Sequence, residues 1–72
     1  MPKIYDVVYW ETGKPAVIVN SWNSRTAAIA DMESKADTFH NHRGHITRPH
    51  DGRIVWTSSN KRTKRAYYVR ER

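Results

Sequence analysis

Apolar positions recur along the chain with two different periods, and the change of period divides it into elements. Residues 3–11, KIYDVVYWE, are rich in β-branched and aromatic types and predict a strand. Thr12-Gly13-Lys14-Pro15 predicts a turn, because Gly13 tolerates positive φ and Pro15 cannot donate to a central ladder. Residues 16–22, AVIVNSW, return as a second β-type run, so the first 22 residues propose a hairpin. A loop with an even number of residues puts Tyr5, Val7, Tyr9, Ala16, Ile18 and Trp22 on one face. Ile4, Val8, Trp10, Val17 and Val19 then share the other, and both faces are apolar.

At Asn23-Ser24 the period changes. Both residues suit a helix N-cap, and Ile29, Met32, Ala36 and Phe39 recur at i, i+3, i+7 and i+10 as one helical stripe. Asp31 and Lys35 form an i,i+4 pair expected on the opposite, solvated side. Gly44 reads as the stop beyond the last helical turn, which would contain His40, His42 and Arg43. His45-Ile46-Thr47-Arg48 and Arg53–Ser58 flank Asp51-Gly52, a short hairpin signal. After Ser59-Asn60-Lys61, the run Lys64–Arg70 is a last strand or an ordered arm. The order is ββαββ with an optional fifth strand. It predicts an α+β fold, one helix packed on a four- or five-stranded antiparallel sheet, as a single domain over residues 1–72.

The Trp-bearing hairpin, the helix SRTAAIADMESKA and the segment GHITRPHDGRIVW together resemble small uncharacterised bacterial and phage ββαββ domains. The resemblance covers about residues 10–56 and implies the fold. It implies no particular activity, since fold does not carry function.

Charge changes the picture most. The 13 Lys and Arg outnumber 7 Asp and Glu for a formal net charge of +6. Residues 60–72 hold Lys61, Arg62, Lys64, Arg65, Arg70 and Arg72 against Glu71 alone, so five of the six net charges lie in this strand or arm. Tyr67 and Tyr68 interleave with them. Clustered cations displace condensed counterions from phosphates, and aromatic rings stack bases, so this segment points to nucleic acid bound mainly through its backbone. Arg43, Arg48 and Arg53 extend the track if the 45–57 hairpin lies beside it. Lys61–Arg65 is expected to make flexible anion contacts and Tyr67–Arg70 to be structural. Neither base-reading motifs nor a zinc-finger spacing is present.

The alternative is a small protein-interaction or inhibitor module of phage type. One helix can cover one sheet face only, which leaves aromatics drawn from Tyr5, Tyr9, Trp10, Trp22 and Trp56 as a surface for a host protein or a second copy. Self-association is compatible with both readings.

Other chemistry is weaker. His40, His42, His45 and His50 lack the i,i+4 spacing of a helical metal pair, so neither a metal site nor any cofactor is expected. Asp6, Glu11, Asp31, Glu33, Asp37 and Asp51 read as strand edge, helix surface and turn, and no Gly-rich phosphate loop is present; the chain does not read as an enzyme. The absence of cysteine fits a reducing cytoplasm, and no apolar run approaches a membrane span.

Overall fold

A computed structural model describes residues 3–72; the first two residues of the predicted domain lie outside it. Seven elements follow one another: β1 (Tyr5–Glu11), β2 (Val17–Trp22), α1 (Arg25–Ala36), a 3-10 helix (Asp37–Asn41), β3 (Gly44–Thr47), β4 (Ile54–Ser58) and β5 (Lys64–Glu71). The strands form one antiparallel sheet in the order β2-β1-β5-β4-β3, with α1 on one face. The C-terminal basic segment is therefore the central strand. Its run of Ala66, Tyr67, Tyr68 and Val69 has the β-prone chemistry that a doubly paired strand needs.

The helix covers the Tyr5/Val7/Tyr9 face. Val7, Ala28, Met32, Ala36, Phe39, Ile54 and Trp56 form the core, with Tyr5, Tyr9, Ile46, Tyr67 and Val69 packed against it. Phe39 reaches Tyr67 and Trp56 at ring-centroid separations of 5.4 and 6.4 Å, and Tyr67 reaches Tyr9 at 4.9 Å. Tyr5, Tyr9, Tyr67 and Trp56 are thus committed to the covered face, while Trp10 and Tyr68 point to the other.

Ser24 caps α1 through its side chain, which accepts from the Ala27 amide at 3.3 Å. Three parts of the helix differ from the sequence-based expectation. The buried stripe runs through Ala28 in place of Ile29, which is exposed, because the small side chain allows close approach to the sheet. Asp31 does not face solvent: it accepts from Trp22 Nε1 and Asn20 Nδ2, both at 3.0 Å, and from Lys35 at 2.7 Å, so it fastens the helix to β2. The α-helix ends at Ala36, where the Thr38 hydroxyl donates to the Lys35 carbonyl at 3.0 Å, and a 3-10 turn carries Phe39 into the core.

Gly44 is not the helix stop but the first residue of β3. A Cβ there would lie 2.6 Å from Trp56 Nε1, so glycine lets the chain cross the indole edge. Asp51-Gly52 makes the β3–β4 turn as expected, with Gly52 at φ +90° and Asp51 accepting from Arg53 N at 3.1 Å.

The first hairpin also departs from simple alternation. Val7 pairs with Asn20 but Val8 pairs with Ile18, so Val19 is an extra residue, a β-bulge. The bulge exchanges the faces of the residues before it. Val17 joins Tyr9 on the helix side, and Ile18 joins Val8 on the open side, the reverse of their expected positions.

Candidate nucleic-acid interface

Ion pairing divides the cations of the chain into two sets. Every acidic residue except Asp37 has a Lys or Arg within 3.4 Å, and Asp37 lies 4.0 Å from His40. Lys3, Lys14, Lys35, Arg48, Arg53, Arg65, Arg70 and Arg72 supply those partners. Among the described residues, Arg25, Arg43, Lys61, Arg62 and Lys64 have no carboxylate partner. Four of these five gather at one end of the sheet.

That end is built by three segments. Ser59–Thr63 is the β4–β5 turn, and hydrogen bonds within it fix its path. Asn60 Oδ1 accepts from Ser58 Oγ at 2.7 Å and from the Arg62 amide at 3.0 Å. Ser58 Oγ in turn accepts from Thr63 N at 3.1 Å, and Lys61 N donates to the Ser58 carbonyl at 2.9 Å. Lys61 and Arg62 project from a turn closed by these hydrogen bonds, with Lys61 at φ +62°. The β1–β2 turn adjoins it. Thr12 Oγ1 accepts from Lys64 N at 2.9 Å and Thr12 N donates to Lys64 O at 3.0 Å, which fixes the start of β5. The third segment is the entry to β3. Gly44 pairs with Ser58, so Arg43 stands at the same end, about 10 Å across the sheet from the start of β5.

Arg65 belongs to this end but is engaged. Its Nε lies 3.1 Å from Glu11, which also binds Lys14 at 3.2 Å, and its guanidinium stacks 5.3 Å over the Trp56 ring. Such stacking on an aromatic face contributes about 0.5–1 kcal/mol and holds the sheet's register as much as it offers charge.

The other end of β5 is different in kind. Asp6 is completely buried within β1, in place of the strand-edge position its charge suggests. Arg72 donates to it through Nη2 at 2.8 Å and Nε at 3.3 Å, Arg70 Nη2 lies 3.4 Å away, and Ser21 Oγ donates at 2.7 Å. These donors, Arg72 foremost, hold the Asp6 carboxyl below the ordinary aspartate range. Arg70 and Arg72 are thus engaged by Asp6, while about half of each side chain stays exposed. The sequence carries one sign of this clamp: an acid in the middle of an apolar strand run needs a buried cation. Arg48 and Arg53 are also paired, with Glu33 at 2.8 Å and Asp51 at 2.7 Å, on the surface. Trp22 is bound to Asp31 on the helix side of β2, apart from the other aromatics of the predicted partner surface.

On the sheet face away from the helix, successive cross-strand rows can be read from the register. Lys64, Thr57 and His45 form the row nearest the basic end; Trp10, Ala66, Val55 and Thr47 form the next; Val8 and Tyr68 follow. Hollows of about 370 and 410 Å³ lie over this face and share Trp10, Arg53 and Ala66 in their walls. Among the described residues, no three His, Asp or Glu side chains are grouped to hold a metal ion, and no helix is long and apolar enough to cross a membrane.

No protein-family model matches the chain, and neither curated proteins nor solved structures provide a match.

Proposed function

We propose that this protein is a nucleic-acid-binding module, without catalytic activity, whose phosphate contacts come from Lys61, Arg62, Lys64 and Arg43. The observation that carries the reading is the gathering of carboxylate-free cations at one end of the sheet, on a turn ordered by its own hydrogen bonds. An acidic neighbour would compete with a phosphate for each cation, and these four have none among the described residues. Absence of cysteine supports placing it in the reducing cytoplasm. Four phosphates neutralised give a slope of log K on log salt of about −3 for single strands and about −4 for duplex. Anisotropy titration of a labelled oligonucleotide at two salt concentrations tests this. Absence of binding to both forms at low salt defeats it.

A separate observation supports a second reading as a protein-interaction module. Val17, Ile18 and Val19 on edge strand β2 are 48, 48 and 39% exposed, and Pro15–Ser24 carries no charge. Uncharged apolar edge strands are sites of strand addition or self-association. Concentration-dependent sizing that responds to Ile18→Lys but not to substitutions at Lys61 or Arg62 would favour it.

A further inference from the structure

The proposed phosphate site occupies one end of the sheet, but it leaves the open face unexplained. That face carries a hollow at the middle of the central strand. Ala66 forms its floor because it is the smallest side chain in its row, opposite Trp10 on β1 and Val55 on β4. Tyr68, two residues along β5 on the same face, forms a second aromatic wall. Residues diagonal across neighbouring strands stand about 7–8 Å apart, within reach for aromatic side chains to bracket one planar group.

Cations mark both ends of this hollow. Lys64 lies toward the basic end and lines the adjoining depression with Trp10 and Ala66. Arg53 lies on the other side and borders both depressions. Its orientation is set from behind: Asp51 accepts from Arg53 Nε at 2.7 Å and from Arg53 N at 3.1 Å, and the Arg53 Nη groups have no hydrogen-bond partner among the described residues. The floor is apolar; among the strand residues of this face that are described, the acid is Asp6, which is buried and already bound by Arg70, Arg72 and Ser21. An aromatic hollow with no acid in its floor, flanked by Lys64 and by the Nη groups that the Asp51 pairing leaves open on Arg53, suits a flat base bearing phosphates on either side.

We infer that the open face is a stacking site for unpaired nucleobases, with a base over Ala66 against Trp10 and Tyr68 and the flanking phosphates at Lys64 and Arg53. The inference rests on the nucleic-acid reading and adds a selectivity to it. A base inside a duplex has its faces covered by its neighbours and cannot enter, so the protein prefers single strands. The basic turn by itself gives no such preference, because phosphates are present in both forms. The row spacing places Lys64 next to the Trp10–Ala66 row, so one strand running from the turn onto the face engages both sites without a bend.

The test compares a 12-nucleotide oligothymidylate with a 12-base-pair duplex at the same ionic strength, by anisotropy and by tryptophan fluorescence. Trp22 is held by Asp31 and Trp56 is buried under the helix, so Trp10 is the tryptophan expected to report on this face. Single strands should quench emission and bind more tightly than duplex. Trp10→Ala should weaken single-strand binding by about 10-fold or more and leave duplex binding within about twofold. Ala66→Val supplies a second variant that keeps both rings and both cations, suits a strand, and fills the floor; it should produce the same selective loss. Equal losses for both forms, or no change with either variant while binding persists, overturn the stacking site and leave the basic turn intact. A concentration-dependent change in Trp10 emission without oligonucleotide, abolished by Ala66→Val, assigns the face to a second copy and overturns it. Failure of both nucleic-acid forms to bind the wild-type protein overturns the parent reading and the inference together.

Discussion

At the C-terminal end of β5, Arg70 and Arg72 converge on one buried carboxylate, whereas at its N-terminal end Lys61, Arg62 and Lys64 meet no acid among the described residues. The residue types are alike and the strand is the same. What differs is the neighbour that β1 presents. Antiparallel pairing sets Asp6 opposite Arg70, and it sets Thr12, which has no charge, beside Lys64. Charge counted along a sequence therefore overstates the charge available to a partner. Six cations in thirteen residues become three paired with carboxylates, counting Arg65 on Glu11 and Trp56, and three without a carboxylate partner among the described residues.

The largest effect should come from the free end. Replacing Lys61, Arg62 and Lys64 together with Ala should lower oligonucleotide affinity by about 100-fold at low salt, and shift the melting temperature by only a few degrees. Titration and thermal melting on the same samples check both halves. The clamp should behave in the opposite sense. Asp6→Asn leaves Arg70 and Arg72 beside a neutral group and should reduce Tm by roughly 10 °C, while the salt dependence of binding stays as in wild type.

The pH dependence sharpens the same contrast. Because the Asp6 carboxyl is held below its ordinary range by Arg72, Ser21 and Arg70, its contribution to stability is complete above the unfolded aspartate value near pH 4. It is lost as pH falls through the lower folded value. Asp31, held down chiefly by Lys35 and also by Trp22 and Asn20, acts in the same direction. Tm should hardly respond to these two groups between pH 7 and about 5 and should fall below about pH 4. Asp6→Asn should show a smaller acid-induced loss than wild type, measured by circular dichroism. The smallest effect separates stability from function within a single residue. Lys61 has φ +62°, a conformation costing about 1 kcal/mol for a side chain with Cβ. Lys61→Gly should raise Tm by a few degrees while weakening nucleic-acid binding several-fold.

Local chemistry disclosed much of this fold. The β-prone runs, the Ser24 cap, the Asp51-Gly52 turn and the strand character of Ala66–Val69 depend on residues close in sequence, and the structure bears them out. The features that escaped depend on distant partners. Asp6 and Arg72 are 66 residues apart, and nothing local to Asp6 identifies its cation. Gly44 looks like a helix stop until the Trp56 edge is placed against it. The bulge at Val19 has no glycine to announce it, so period-two alternation assigns Val17 and Ile18 to the wrong faces. The same limit applies to the site. Clustering of charge is visible in the sequence, but the division of that charge depends on strand order, and β5 could be recognised as a strand without being placed between β1 and β4.

The most direct measurement is the salt slope of single-strand binding in three proteins: wild type, Lys61/Arg62/Lys64→Ala, and Arg72→Gln, all below their melting temperatures. The division of β5 predicts a wild-type slope of about −3 to −3.5, a slope no steeper than about −1.5 for the triple variant, which keeps Arg43 and Arg53, and a wild-type slope for Arg72→Gln despite its lower Tm. A slope unchanged in the triple variant and reduced in Arg72→Gln would contradict the account, because the cations assigned to the fold would then be the ones that meet phosphate.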